Sequence, residues 1–118
     1  MSTKTLFIVN DAAYGSDRSF NALRLAGALA LRDDVELRLF LMGDAVGCAM
    51  GGQQVPNGYY HLDRMVGSAA RHGTEVGCCG TCMDARGITE EMLTAGTRRS
   101  TLEELAEWTM WAEKVLTF

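Results

Sequence analysis

The pattern of apolar positions along the chain predicts five short β-strands. Residues 5–9 are apolar and β-branched without alternation, which is typical of a strand buried on both faces. Residues 35–42 alternate at first and then become continuously apolar, so this strand starts near the surface and runs inward. Three shorter segments, residues 74–78, 96–99 and 115–118, complete the set.

Stretches with a helical period lie between these strands. Residues 17–31 place Phe20, Leu23 and Ala26 on one side, and Ser16 or Asp17 can cap the first turn. Residues 59–72 have one apolar face, and the opposite face carries polar side chains, namely Asp63, Arg64, Ser68 and Arg71. Both segments therefore predict amphipathic helices.

The remaining helical signals are shorter. Residues 80–85 predict a short helix and residues 89–95 a further turn or two, whereas the glycine-rich residues 43–54 allow a helical turn but no stable long helix. A last helix runs to about residue 113 and starts at a capping box, which is either Ser100-x-x-Glu103 or Thr101-x-x-Glu104.

The alternation of strands and helices predicts parallel pairing with right-handed crossovers. We expect one domain over residues 1–118, with an α/β fold of three layers (α/β/α) and a five-stranded, mostly parallel sheet. These patterns do not reveal the order of the strands in the sheet.

Loops that follow parallel strands meet at one edge of a sheet, where ligands bind in open α/β folds. The loops at residues 10–16, 43–54 and 79–82 are in this position, which makes Asn10, Asp11, Tyr14 and Asp44 crevice candidates. They are candidates by position alone, since such residues also make turns. Neither phosphate-binding glycine motif is present, and these loops carry almost no cations, so a nucleotide site has little support.

Composition excludes several classes of function. The net charge of −4 over 118 residues argues against nucleic-acid binding, which calls for a basic stripe. The apolar runs are of strand length, far below the roughly 20 residues of a membrane-spanning helix. The first residues do not resemble a signal peptide, so we expect a cytoplasmic protein whose thiols stay reduced.

Three of the four cysteines lie within five positions, where a predicted strand gives way to a predicted helix. Cys79-Gly80-Thr81-Cys82 is a C-x-x-C pair, and a helix N-terminus favours the thiolate form of a cysteine. We therefore predict that Cys79 is a reactive thiol, with Cys82, Gly80 and Thr81 at the same site. Arg86, four residues after Cys82, can stabilise a thiolate if the helix continues.

Other interpretations of these cysteines remain open. Free cysteines are often small buried core residues, and Cys78 should point away from Cys79 because neighbouring strand residues face opposite sides. Cys48, in the glycine-rich loop, either approaches the site or fills the core. A zinc site assembled from these cysteines and His72 is disfavoured, because there is no second C-x-x-C. We predict neither a metal nor a cofactor.

The last predicted helix has an unusually wide apolar surface. Its apolar side chains extend beyond one core-facing stripe, notably Trp108, Met110 and Trp111. Two interpretations are left open here. The surface either packs beneath a strand of the same chain or is buried against another subunit, where aromatic residues and Met are enriched.

With these motifs in place, the chain resembles the DsrE/DsrF-like family, which has TusD-like and YchN-like members. The resemblance is carried by residues 39–46, by Cys79 with Arg86-Gly87-Ile88, by Gly96, and by residues 102–108 and 112–116. It implies a parallel α/β fold, assembly into trimers or hexamers, and a cysteine that carries sulfane sulfur as a persulfide. The family's sulfur-accepting cysteine falls on Cys79, and Cys82 is matched among YchN-like members.

Three functional hypotheses follow. In the first, the protein is a sulfurtransferase-like carrier that receives sulfur on Cys79 from a donor protein and passes it to an acceptor protein. The second is a dithiol redox protein that uses Cys79 and Cys82. The third is a non-catalytic oligomer that binds a small ligand in its crevice.

Overall fold

A computed structural model describes residues 1–118. The five strands are β1 (Thr3–Val9), β2 (Val35–Leu41), β3 (Glu75–Cys79), β4 (Thr97–Ser100) and β5 (Lys114–Thr117). The helices are α1 (Arg18–Ala30), α2 (Leu62–Arg71), α3 (Gly80–Asp84) and α4 (Leu102–Trp111). Two 3₁₀ helices, Gly43–Ala49 and Glu90–Met92, follow β2 and precede β4.

All five strands form one sheet in the order β4-β3-β2-β1-β5, and every neighbouring pair is parallel. The chain therefore builds the sheet outward from β1 to β4, and α4 then carries it across the sheet to β5, on the other side of β1. The predicted parallel sheet is confirmed. The order of the strands is new information, and it places β4 beside the cysteine-bearing β3.

The sheet is covered on both faces, as the three-layer prediction requires. Alternate residues of each strand face opposite sides, and they enter two separate apolar clusters. The larger cluster joins residues such as Phe7 and Leu39 to α1, α2 and Met83 of α3. The smaller cluster joins Leu6 and Phe40 to Leu105 and Trp108 of α4. The helix α4 thus covers one face alone.

The structure corrects the predicted start of the second helix. Tyr59 and Tyr60 lie outside α2, which begins at Leu62 after the N-cap residue His61. The Tyr60 ring stacks on Phe20 with 3.6 Å between centroids, and this contact holds the segment before α2 in an extended path. Tertiary packing overrides the amphipathic pattern at these positions.

A second correction concerns Asp63, which was predicted to lie on the polar face of that helix. Asp63 is only 6% exposed, and its Oδ2 accepts a hydrogen bond from the backbone N–H of Gln53 at 3.3 Å. The carboxylate is buried because it anchors the loop that returns from the first 3₁₀ helix.

No helix of the protein combines the length and the apolar character needed to cross a membrane.

Candidate functional site: the Cys79–Cys82 thiol pair

Cys79 lies at the junction that the sequence indicated. It is the last residue of β3 and the N-cap residue of α3, and it is partly exposed. Its neighbour Cys78 is fully buried in the larger cluster, because consecutive strand residues point to opposite faces. Of these two neighbouring cysteines, Cys78 therefore belongs to the core and Cys79 to the candidate site.

Several donors surround the sulfur of Cys79. The Thr81 hydroxyl lies 3.3 Å from its Sγ atom. Partial burial by itself raises the pKa of Cys79, but hydrogen bonds from the Cys82 thiol, the Thr81 hydroxyl and the backbone N–H groups of both residues outweigh it and lower the pKa. These donors belong to the first turn of α3, so the start of the helix favours the thiolate.

Cys82 has the opposite character. Burial raises its pKa, as does the hydrogen bond that its thiol shares with Cys79, while the backbone N–H of Gly43 and the charge of Arg86 act in the other direction. The pair is thus asymmetric. Of the two thiols, Cys79 is the one whose pKa is lowered and Cys82 is the one whose pKa is raised.

Arg86 lies beside this pair but is engaged elsewhere. Its Nη2 and Nε donate to Oδ1 of Asp44 at 2.7 and 3.2 Å, and its Nη1 donates to the carbonyl oxygen of Cys82 at 3.0 Å. The ion pair fixes the start of the first 3₁₀ helix against α3. Arg86 therefore holds the backbone at Cys82 in place. Asp44 contributes to the site only by binding Arg86.

A pocket of about 310 Å³ opens beside Cys79. One wall is the turn of Cys79, Gly80 and Thr81, and the other comes from the end of β4 and the start of α4, with Arg99, Ser100, Thr101, Leu102 and Glu103. Sequence reasoning missed this second wall, since nothing in the sequence signals that β4 neighbours β3. The lining of the pocket includes hydroxyl groups and charges of both signs.

The other crevice candidates hold loops together. The Asn10 side chain donates to the carbonyl oxygen of Phe118, and Asp11 accepts from the Ser16 hydroxyl. The Tyr14 hydroxyl binds Gln53 and the carbonyl oxygen of Tyr60. Tyr14 also lines a separate aromatic cleft of about 340 Å³ that contains none of the cysteines.

Cys48 is part of the core. It is fully buried, and burial raises its pKa to about 11, although a hydrogen bond with Ser19 acts in the other direction. Burial likewise raises the pKa of Cys78 to about 12. The structure holds no group of three or more His, Cys, Asp or Glu side chains arranged to bind a metal ion.

This geometry defines a class, that of small parallel α/β proteins with a C-x-x-C pair where a strand becomes a helix. The sequence profile of the DsrE/DsrF-like family matches residues 3–118, and the chain belongs to that family. The predicted resemblance is confirmed, and membership supports a sulfur-relay-related role in general.

Individual relatives agree with this assignment. The chain is 44% identical to protein YchN of Escherichia coli K12 over 116 residues, which are 98% of each chain. It is 35% identical to the Methanocaldococcus jannaschii protein MJ0989 over 118 residues, or 98% of this chain and 99% of that protein.

Solved structures extend the comparison. The crystal structure of the ychN protein from E. coli matches with a TM-score of 0.92 and covers 98% of this chain and 99% of that one. MTH1491 from Methanobacterium thermoautotrophicum matches with a TM-score of 0.76 at 11% identity, covering 99% and 100% of the two chains, which shows the fold alone.

Proposed function

We propose that this protein is a cytoplasmic sulfur carrier that holds sulfane sulfur as a persulfide on Cys79 and passes it to an acceptor thiol. The observation that carries the proposal is the set of donors around Cys79 Sγ, which lower the pKa of this thiol beside an open pocket. A carrier of this kind takes up one sulfur atom from a donor protein and releases it to an acceptor protein, so it needs both partners.

The transfer is an exchange between sulfur atoms. The Cys79 thiolate attacks the outer sulfur of a donor persulfide, R–S–SH, a new S–S bond forms, and the donor leaves as R–S⁻ with the electron pair of the broken bond. An acceptor thiolate then attacks the outer sulfur of Cys79–S–SH in the same way and regenerates the Cys79 thiolate. Neither step needs an external oxidant or reductant, because one S–S bond forms as another breaks.

The contact between the two thiols supports a second candidate function, that of a dithiol redox protein. The Cys82 thiol lowers the pKa of Cys79 as a hydrogen-bond donor, so the two thiols of the C-x-x-C pair lie side by side. After sulfur uptake, the Cys82 thiolate would attack Cys79 Sγ and expel hydrosulfide, which leaves a Cys79–Cys82 disulfide. An external dithiol would then reduce that disulfide.

Mass spectrometry of the intact protein distinguishes these functions. After incubation with a persulfide donor, we expect wild type and Cys82→Ser to gain the mass of one sulfur atom and Cys79→Ser to gain none. The buried Cys48 and Cys78 serve as internal controls, since neither should be labelled in folded protein. Equal labelling of wild type and Cys79→Ser would refute the carrier function.

The same samples test the redox alternative. A carrier retains the added sulfur in wild type, whereas a redox protein loses it as hydrosulfide and ends with two fewer hydrogens than the reduced chain. Cys82→Ser removes the second thiol, so it should keep the sulfur in either case. Hydrosulfide release from wild type but not from Cys82→Ser would favour the redox function.

We also propose that copies of this chain assemble into trimers or hexamers through the outer surface of α4 and β5. Leu102 and Met110 of α4 are 70% and 86% exposed, and Val115 of β5 is also exposed. Large apolar side chains exposed on one layer of a small domain are typical of subunit contacts. Family resemblance is the second support for this assembly.

A further inference from the structure

We propose that Arg99 is a positioning residue that clamps both ends of α3 and so holds the first turn of that helix against the Cys79 sulfur. The inference deepens the proposed function, because it concerns the thiol that would carry the sulfur. It starts from the length of α3, which has only five residues. A helix this short is not stable by itself in water, so tertiary contacts must keep its N–H groups aimed at the thiolate.

Arg99 supplies such contacts at the C-terminal end of α3. From β4, its Nη1 and Nη2 donate to the two carboxylate oxygens of Asp84, the last residue of α3, at 2.7 and 2.9 Å. Two parallel hydrogen bonds between planar groups fix orientation as well as distance. Both side chains are partly exposed, so the ion pair adds little to the free energy of unfolding and serves mainly to fix the orientation of α3.

The same guanidinium also packs on the first residue of α3. A Cβ atom at position 80 would lie 2.8 Å from both Cζ and Nε of Arg99, so a side chain there would displace the guanidinium. Gly80 therefore lets Arg99 lie flat against the backbone next to Cys79. One side chain from β4 thus reaches from the start of α3 to its end.

Arg86 holds the opposite side of the helix through Asp44 and the Cys82 carbonyl oxygen. Two arginine–aspartate pairs, one from the edge strand and one from the first 3₁₀ helix, therefore keep α3 in place. Of the two arginines, Arg99 is the one that packs on Gly80 at the start of α3, next to Cys79.

The proposal is tested by the pH dependence of Cys79 alkylation with iodoacetamide, located by peptide fragmentation in the full chain. The charged and ionisable groups of the elements around the sulfur are Cys82 and Asp84 on α3, Arg86 just after it, Arg99 on β4 and Glu103 on α4. We expect Arg99→Gln to raise the apparent pKa of Cys79, which means slower alkylation at pH 7 and an unchanged rate at high pH, where the thiol is fully ionised.

Asp84→Ala separates a clamp from a simple charge effect. Removal of a carboxylate at a helix C-terminus, together with the high helix propensity of Ala, favours both the helix and the thiolate. Loss of the clamp, in contrast, disfavours the thiolate because the first turn of α3 is no longer held against the sulfur. We expect the apparent pKa of Cys79 to rise in Asp84→Ala, and a fall or no change would overturn the proposal.

Two further variants complete the design. Gly80→Ala keeps every charge but displaces Arg99, and Arg99→Lys keeps the charge but loses the planar fork, so both should raise the pKa of Cys79. A wild-type profile in both would show that only the charge of Arg99 matters, which would also overturn the proposal. Circular dichroism confirms that each variant is folded.

Arg98→Gln is the matched control. Arg98 neighbours Arg99 on β4 and has similar exposure, but its ion pairs are with Glu75 and Glu104, away from α3. Its alkylation profile should match wild type, and a shift equal to that of Arg99→Gln would remove the special role of Arg99. Alkylation does not require a sulfur donor, so the clamp can hold even if Cys79 never becomes persulfidated.

Discussion

Two of the four thiols lie in the apolar core, and the other two lie at its edge. Cys48 and Cys78 are fully buried, and burial raises their pKa values to about 11 and about 12 respectively. At Cys79, hydrogen bonds from the Cys82 thiol, the Thr81 hydroxyl and backbone N–H groups reverse the effect of partial burial. Burial thus sets the pKa of the two core thiols, and hydrogen-bond donors set the pKa of Cys79.

The buried thiols should make the protein sensitive to alkali. Below pH 9, the ordinary pKa of a thiol, folded and unfolded chains both keep these groups protonated. Between pH 9 and about 11, the unfolded chain ionises Cys48 while the folded chain cannot, so the free energy of unfolding should fall by roughly 1 kcal/mol per pH unit for this thiol. Cys78 adds a similar loss up to about pH 12.

Urea denaturation at pH 8 and pH 10 measures this loss. Other groups also titrate in this range, so the comparison is with Cys48→Ala, which should be less stable at pH 8 but lose less on going to pH 10. Equal losses in the two proteins would mean that the Cys48 thiol is not protected by the fold.

At the scale of elements, α4 shows how a helix start is selected. Of the two predicted capping boxes, the structure forms the N-cap half of the one at Thr101, whose Oγ1 accepts from the backbone N–H of Glu104 at 3.1 Å. Ser100 remains in β4, and the Glu104 carboxylate binds the Ser100 hydroxyl and Arg98. Glu104 therefore links the start of α4 to β4, the edge strand that supplies Arg99.

We expect Thr101→Ala to lower the free energy of unfolding by about 1 kcal/mol, because one N–H at the helix start loses its partner. Chemical denaturation of the reduced protein measures the change. Glu107→Ala, an exposed position inside the same helix, should have an effect near zero. A loss of similar size in both variants would show that the cap contributes nothing of its own.

Hydrophobic patterning predicted the strands and helices well and some of their boundaries poorly. Most apolar side chains of residues 5–9 and 35–42 are buried in the core, so the apolar pattern and the structure agree there. Tyr59 and Tyr60 fit a helical pattern but pack on distant residues such as Phe20. A local pattern cannot report a contact that depends on how two elements meet.

The site divides in the same way. The position of Cys79 and Cys82 at a strand-to-helix junction is a local property, so the sequence was sufficient to indicate it. Arg99 and Thr101 reach the same pocket only because β4 pairs with β3, and strand order has no signature in the apolar pattern. Half of the pocket was therefore beyond sequence reasoning.

At the scale of the whole molecule, one helix covers one face of a five-stranded sheet and leaves apolar side chains on its outer surface. If that surface forms the proposed subunit contact, Met110→Glu should shift the protein from trimer or hexamer toward monomer, because it places a charge in an apolar interface. Light scattering after size-exclusion chromatography measures the mass.

Leu31→Glu is the control for this experiment. Leu31 is 69% exposed but follows α1, on the other side of the sheet, so its substitution should leave the mass unchanged. A monomeric wild-type protein would contradict the proposed assembly, and so would a Met110→Glu protein with the mass of the wild type.

The strand order also has a consequence for protein synthesis. β1 pairs with β2 soon after it along the chain, but its other edge waits for β5, since Thr5 pairs with Lys114. Throughout most of translation, the nascent chain exposes an apolar strand edge that can bind other strands. Ribosome-associated chaperones that shield such edges would thus matter more for this fold than its small size suggests.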